Sequence, residues 1–249
     1  MFPIRDHNPS ERTPVVTYAL IALNVLIFFS YAGDFPDGAR LAAIFDTFAL
    51  TPAKFSAGLQ YEALVTSMFL HAGLLHLGGN MLFLWIFGDN LEDIFGHLGF
   101  LGFYLASGVA AGLAQVWSAP GATVPMVGAS GAIAGVMGGY LLLFPRARVD
   151  VLIIIIFIVR MIALPAWAML GVWFGLQLVS GYATFGVNAG GVAYIAHAGG
   201  FVAGLALALP VFVRLGGPGF WNRTHGAPPH PARPVRRRQT PIPRVRGRR

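Results

Sequence analysis

Five side chains in this 249-residue chain could do chemistry from within strongly apolar surroundings. They are His71, His76 and Asn80 in "LHAGLLHLGGN", Ser130 in "VGASGAIAG" and His197 in "YIAHAGG". A serine hydroxyl is a weak nucleophile until a neighbouring base takes its proton, and histidine is the commonest such base. Histidine and asparagine side chains can also donate hydrogen bonds to an oxyanion that forms during acyl transfer. Each residue has a plainer role open to it. Ser130 could be a small interface residue, His197 a donor to a neighbouring helix, and Asn80 interhelical glue. Zinc binding fits poorly, because the two histidines of the first stretch are five apart, no acidic partner lies nearby and no H-E-x-x-H occurs. With no cysteine anywhere, disulfides and thiolate metal sites are excluded, and no cofactor is implied.

Spacing narrows the choice. At about 100° per residue, His76 and Asn80 (i, i+4) share one helix face, whereas His71 lies about 140° from His76 and is expected at the helix mouth. Ser130 shares a face with Ala134, beside a ridge of Gly131, Gly135 and Gly139. Ala196, Gly200, Gly204 and Ala208 form a second ridge around His197. Small-xxx-small ridges let membrane helices approach to backbone contact. Two such helices packed together would bring Ser130 and His197 within hydrogen-bond range.

The elements that must position these residues are membrane spans. Hydrophobic residues make up 56% of the chain and charged residues 11%, and the mean hydropathy is +0.67. Soluble domains carry about a quarter charged residues, so lipid is the solvent this composition requires. A helix needs roughly 20 apolar residues to cross the hydrocarbon core. Six segments qualify: 14–33, 70–88, 98–117, 124–144, 164–181 and 191–213. No small-residue cleavage site follows the first, so it reads as a retained span. The expected fold is all-α, a polytopic six-transmembrane-helix bundle over 14–213, with an N-terminal segment 1–13 and a disordered Arg/Pro-rich tail 214–249. Residues 149–163, "VDVLIIIIFIVRMIA", are short for a span and contain Arg160, which is costly at mid-bilayer. Their isoleucine run suits an interfacial or extended piece.

The net charge of +7 lies in the tail. Residues 223–249 hold nine arginines and no acid, leaving eight basic against ten acidic groups elsewhere. Such a tail beside a membrane helix marks the cytoplasmic face and meets anionic headgroups; nucleic-acid binding is not expected. Six spans then put both termini in the cytoplasm, with Arg5, Arg12, Arg146 and Arg148 also inside. Spans two, four and six run outside to inside, and all five polar residues fall in the first half of their spans, in the outer leaflet. Their common depth argues for one site.

These residues resemble the rhomboid family of intramembrane serine proteases. The resemblance rests on "HAGLLHLGGN" (H-x4-H-x3-N), "GASG" (G-x-S-G) and "AHAGGFVAG" on alternate spans, with "GDNLEDIFG" matching at Glu92 and Gly96. It covers roughly residues 14–213. It implies a Ser130–His197 dyad without an acidic third member, with Ser130 as nucleophile and His197 as general base. His76, Asn80 and the Ser130 backbone N–H would hold the oxyanion, Gly128 would open the serine motif, and His71 would order the helix mouth and water access. Two features depart from some members: Ala134 stands where an aromatic packs on the histidine, and Glu62 and Ala63 stand where a Trp-Arg pair falls. The activity implied is endoproteolysis of transmembrane-helix substrates, in a bacterial plasma membrane as the short chain without a transit-like leader suggests. Two other readings are a proteolytically inactive rhomboid-like adaptor that binds transmembrane helices, and a small transporter or channel with a polar midplane site. The first is disfavoured by retention of both Ser130 and His197. The second is disfavoured by the shallow polar set and the lack of an inverted repeat.

Overall fold

A computed structural model of the chain describes residues 2–8, 10–155, 158–184 and 192–228. Six apolar helices follow the six segments read from the sequence: α1 (Val15–Tyr31), α5 (Leu74–Phe95), α6 (His97–Ser118), α7 (Ser130–Leu143), α8 (Ala166–Thr184) and α9 (Tyr194–Arg214). Three stretches, Val15–Asp34, His97–Ser118 and Tyr194–Arg214, are by themselves long and apolar enough to cross a membrane. Helix α5 reaches that standard together with the bent stretch Ala63–Phe69 before it, and α7 has 14 residues. The chain is an integral, multi-pass membrane protein.

Helix α7 lies at the centre. At 1.5 Å per residue its 14 residues extend about 21 Å, short of a hydrocarbon core of about 30 Å. Its middle, from Ala132 to Tyr140, is buried on every side. Its most extensive partner is α9. The glycines explain the approach. A Cβ on Gly200 would stand 2.1 Å from the Gly131 carbonyl oxygen, and one on Gly204 would stand 2.0 Å from that of Gly135. The two ridges therefore meet as their spacing predicts, backbone to backbone at Gly200 and Gly204, while a Cβ on Gly139 would meet Phe103 and Leu91 as well as the Ala208 Cβ of α9.

The segment between α1 and α5 folds into three short helices, α2 (Gly38–Phe48), α3 (Pro52–Ser56) and α4 (Ala63–Thr66). Asp37 caps α2 by accepting from the N–H groups of Ala39 and Arg40. This segment holds the loop that leads into α7. Leu50 and Met126 exchange both backbone hydrogen bonds, and the Gly128 N–H donates to the Ser67 carbonyl at 2.9 Å.

At the opposite end, Glu92 of α5 supplies the cap that α1 lacks in its own first turn. Its carboxylate, 2% exposed, accepts from the N–H groups of Val16 and Thr17, each at 2.8 Å, and from the Thr17 hydroxyl at 2.7 Å. A carboxylate there also meets the positive end of the helix dipole. Gly96, at φ +69°, makes the sharp turn into α6.

The fold is predominantly helical as expected, and two features correct its details and its boundaries. Residues 2–165 include a three-stranded antiparallel sheet, β1 (Phe2–Asp6), β2 (Arg148–Ile155) and β3 (Ile158–Pro165), in the order β1-β2-β3. The described residues of the apolar run at 149–163 are thus extended, as their β-branched side chains favour, and the two strands pair antiparallel with Arg148 opposite Pro165. An open sheet edge cannot lie in hydrocarbon, where its backbone groups would have no partners, so this hairpin adds no span. The N-terminal segment is the third strand, tied to Asp150 by the Arg5 ion pair and by a hydrogen bond with His7. The second correction concerns the tail. Helix α10 (Pro218–Thr224) packs Phe220 into the core, and the Trp221 indole donates to the Leu142 carbonyl at 2.9 Å. The fold therefore continues past Arg214 to about Ala227; residues 229–249, where disorder and headgroup contact are expected, lie outside the described residues.

Candidate active site

Three helix beginnings converge on one point. His76 is the third residue of α5, Ser130 the first of α7 and His197 the fourth of α9. Because α7 and α9 touch along their glycine ridges, the first turns of both helices stand side by side. The result is a hydrogen bond of 2.8 Å between the Ser130 hydroxyl and His197 Nε2. The pairing inferred from ridge spacing is present. Both residues are half-buried and line an open cavity of about 920 Å³, together with His76, Asn80, Gly128 and Trp173.

The serine sits at the first helical position, after Ala129, where backbone N–H groups have no intrahelical acceptor. Gly128 bends the chain into this position with φ +122°, a conformation that disfavours any side chain. Space forbids one as well. A Cβ on Gly128 would stand 2.8 Å from both Cε1 and Nε2 of His76 and 3.6 Å from the Ser130 hydroxyl. So the His76 ring edge, the Gly128 backbone and Ser130 form one small concavity. The Ala72 N–H points at His76 Nδ1 at 3.4 Å, which leaves the Nε2 edge, beside Gly128, to carry the proton.

Asn80 is buried on the same face, one turn along, and donates one N–H to the His76 carbonyl at 3.0 Å. Its amide has a second N–H to offer. Helix α5 begins only at Leu74, so His71 belongs to the preceding loop and the helical angle to His76 does not apply. It is fully buried, its ring 5.1 Å from that of His76 in an edge-on packing, and its backbone exchanges hydrogen bonds with the Tyr31 hydroxyl. His71 therefore backs His76 and does not line the cavity.

Two residues near His197 escaped the sequence reading. The Trp173 ring of α8 lies 5.9 Å from the His197 ring at 32°, and in turn 6.1 Å from Phe201. It supplies the aromatic support absent at Ala134. Gln177, one turn along α8, places its Oε1 2.9 Å from His197 Nδ1. Their signal was available: an aromatic and an amide at i, i+4 in an otherwise apolar span, the same spacing that singled out His76 and Asn80. Among the described residues no cluster of His, Asp and Glu could hold a metal ion.

Comparison with known proteins agrees with these motifs. The rhomboid domain family matches residues 58–214. The chain is 34% identical over 128 residues to "Rhomboid protease GluP" of Bacillus subtilis, covering 51% of this chain and 24% of that protein. It is 38% identical over 91 residues to "Rhomboid protein 1, mitochondrial" of Saccharomyces cerevisiae, covering 35% and 26%. To "Rhomboid-like protein 11, chloroplastic" of Arabidopsis thaliana it is 33% identical over 158 residues, covering 62% and 52%. The chain thus spans between about a quarter and half the length of these relatives. The matched region holds α5 to α9 with His76, Asn80, Gly128, Ser130, Trp173 and His197 of the cavity, and the chain belongs to the rhomboid family.

Proposed function

We propose that this protein is an intramembrane serine endopeptidase that cleaves transmembrane segments of membrane-protein substrates with a Ser130–His197 dyad. The observation that carries the reading is the 2.8 Å hydrogen bond between the Ser130 hydroxyl and His197 Nε2 at an open cavity. As the peptide carbonyl is attacked by the Ser130 oxygen, His197 Nε2 takes the hydroxyl proton. The oxyanion forms in the concavity bounded by Gly128. There it meets the Ser130 N–H, His76 Nε2–H and the second N–H of Asn80, each good donor being worth about 3–4 kcal/mol. Collapse breaks the C–N bond, and His197 returns its proton to the leaving amine. Water then attacks the acyl-serine, giving its proton to Nε2, and the seryl oxygen leaves as the hydroxyl. His71 holds the His76 ring from behind. No cofactor takes part in these steps.

Segments that are short of apolar residues or rich in helix breakers should be the better substrates, since a strand must unwind to reach a serine at a helix N-terminus. With both termini cytoplasmic, the cavity opens toward the outer face of a bacterial plasma membrane, and the basic tail meets anionic headgroups. The test is cleavage of a fluorogenic single-span substrate by purified protein in detergent, wild type against Ser130→Ala and His197→Ala. Loss in both variants with the fold retained supports the dyad. Cleavage surviving in Ser130→Ala overturns it. A wild type inert toward a panel of such substrates would favour a helix-binding adaptor.

A further inference from the structure

We infer that Gln177 is a positioning residue for His197, selecting the imidazole tautomer that can act as a base toward Ser130. The inference deepens the protease reading and rests on it for its catalytic meaning. A neutral imidazole carries one N–H, and only the other nitrogen can accept a proton. Ser130 faces Nε2 at 2.8 Å, so the base form needs a bare Nε2 and a proton on Nδ1. Nδ1 faces Gln177 Oε1 at 2.9 Å. A carbonyl oxygen can only accept, so this contact is a hydrogen bond when Nδ1 is protonated and a repulsion when it is not.

The amide's own orientation is decided by its other end. Gln177 Nε2 points toward the backbone carbonyl of Trp173, four residues earlier on α8, at 3.5 Å. Turning the amide over would set two carbonyl oxygens against each other and would point an NH2 at Nδ1, favouring the tautomer that cannot take the serine proton. Gln177 is 9% exposed, so water does not compete freely for these groups. The same helix turn carries Trp173 against the His197 ring. Helix α8 therefore performs two tasks: Trp173 limits the ring's tilt and Gln177 fixes which nitrogen is bare. A dyad without an acidic member thereby has a neutral third group in the place where one would stand.

The experiment compares wild type, Gln177→Met and Gln177→Glu as full-length protein in detergent. Methionine keeps the length and apolar bulk but removes the acceptor; glutamate keeps an acceptor. Two readouts are taken: kcat and KM on a single-span substrate, and the nitrogen-15 chemical shifts of His197, which distinguish the two tautomers. In wild type the shifts are expected to show Nδ1 protonated and Nε2 bare. Gln177→Met is expected to mix the tautomers and to lower kcat about 10-fold or more, as for loss of one buried hydrogen bond, with KM nearly unchanged and the unfolding midpoint lowered only by a few degrees. Gln177→Glu is expected to keep the Nδ1–H tautomer and most of kcat. Wild-type shifts showing Nε2 protonated, or a Gln177→Met variant with unchanged shifts and kcat, would overturn the assignment. A wild type that cleaves nothing would remove the protease reading, while the shifts would still decide whether Gln177 sets the tautomer.

Discussion

Adding one methyl group at Gly200 should disable the site while leaving the protein folded. The Cβ of Gly200→Ala would stand 2.1 Å from the Gly131 carbonyl oxygen and 3.2 Å from the Ala111 Cβ. Ordinary carbon-to-oxygen contact is about 3.3–3.6 Å, so the helices must part by about 1.2 Å or more at this level. Both contacts involve backbone or Cβ atoms, which have no rotamer to give way. Gly200 lies less than one turn from His197, and Gly131 adjoins Ser130. Most of the displacement therefore passes to the dyad, stretching its 2.8 Å hydrogen bond to about 4 Å, outside bonding range. Misplacement by about 1 Å is enough to lower turnover about 100-fold. Overpacking of this kind costs about 1–3 kcal/mol, which leaves a folded protein in most backgrounds. The assay is kcat on a single-span substrate with a thermal unfolding midpoint measured in the same detergent. Gly102→Ala, where an added Cβ meets nothing within 4 Å, is the matched control and should be neutral. Full activity in Gly200→Ala would refute the claim that backbone contact between α7 and α9 sets the Ser–His distance.

Other substitutions probe the supporting structure. Gly128→Ala places a Cβ 2.8 Å from the His76 ring at φ +122°; the backbone strain alone is about 1–3 kcal/mol, and cleavage should fall to near background while the unfolding midpoint moves modestly. Glu92→Ala leaves two N–H groups and a hydroxyl at the start of α1 without their acceptor and should lower stability by about 2–4 kcal/mol in denaturation, with Glu92→Gln losing less. The Asp6 carboxyl is raised to about 7 by burial, and by the nearby Asp89, against 3.8 when unfolded. The native state thus binds the extra proton between these values, so Asp6 makes stability fall as pH rises from about 4 to about 7 and adds no further slope above that. Asp6→Asn should flatten that stretch of a stability–pH curve; an unchanged curve would remove Asp6 as its source.

How far the sequence could be read depended on the range of the interactions involved. The spans were legible because each is a local run of apolar residues, and the α7–α9 contact because glycines four apart leave a face that only another backbone can fill. His76, Asn80, Ser130 and His197 follow from local spacing too, and the structure brings them to one cavity. Of the sheet, only the extended run at 149–163 was legible: β1 is five residues long, and its partner strand lies some 145 residues away, as the Arg5–Asp150 pair shows. Helix α10 was hidden by composition, since the Arg/Pro-rich stretch after it made the whole C-terminus look alike, although Phe220 and Trp221 offered apolar anchors. His71 was placed on a helix that starts three residues later, a boundary set by Gly73 that periodicity does not reveal. Gln177 was passed over because an uncharged amide in an apolar span draws less notice than a histidine, and because its partner is twenty residues further along the chain.

The two halves of the dyad's support differ in kind, and this bears on how the site can be altered. Between α7 and α9 the contact is main chain against main chain, so the spacing of the Ser130 and His197 backbones is set by the helix axes. From α8 the support reaches His197 through the Trp173 and Gln177 side chains, on a helix whose outer face exposes Val172, Leu176, Val179 and Tyr182. A change in a ridge glycine moves the reacting atoms themselves and leaves no rotamer with which to compensate. A change in α8 leaves the distance intact and alters how the imidazole is held. The first class should lower turnover whatever the substrate. The second should be repairable by any side chain that restores an acceptor at Nδ1 and a flat surface against the ring. That difference is the physical reason that Gln177→Glu is expected to recover what Gln177→Met loses, whereas no substitution at Gly200 larger than glycine is expected to recover anything.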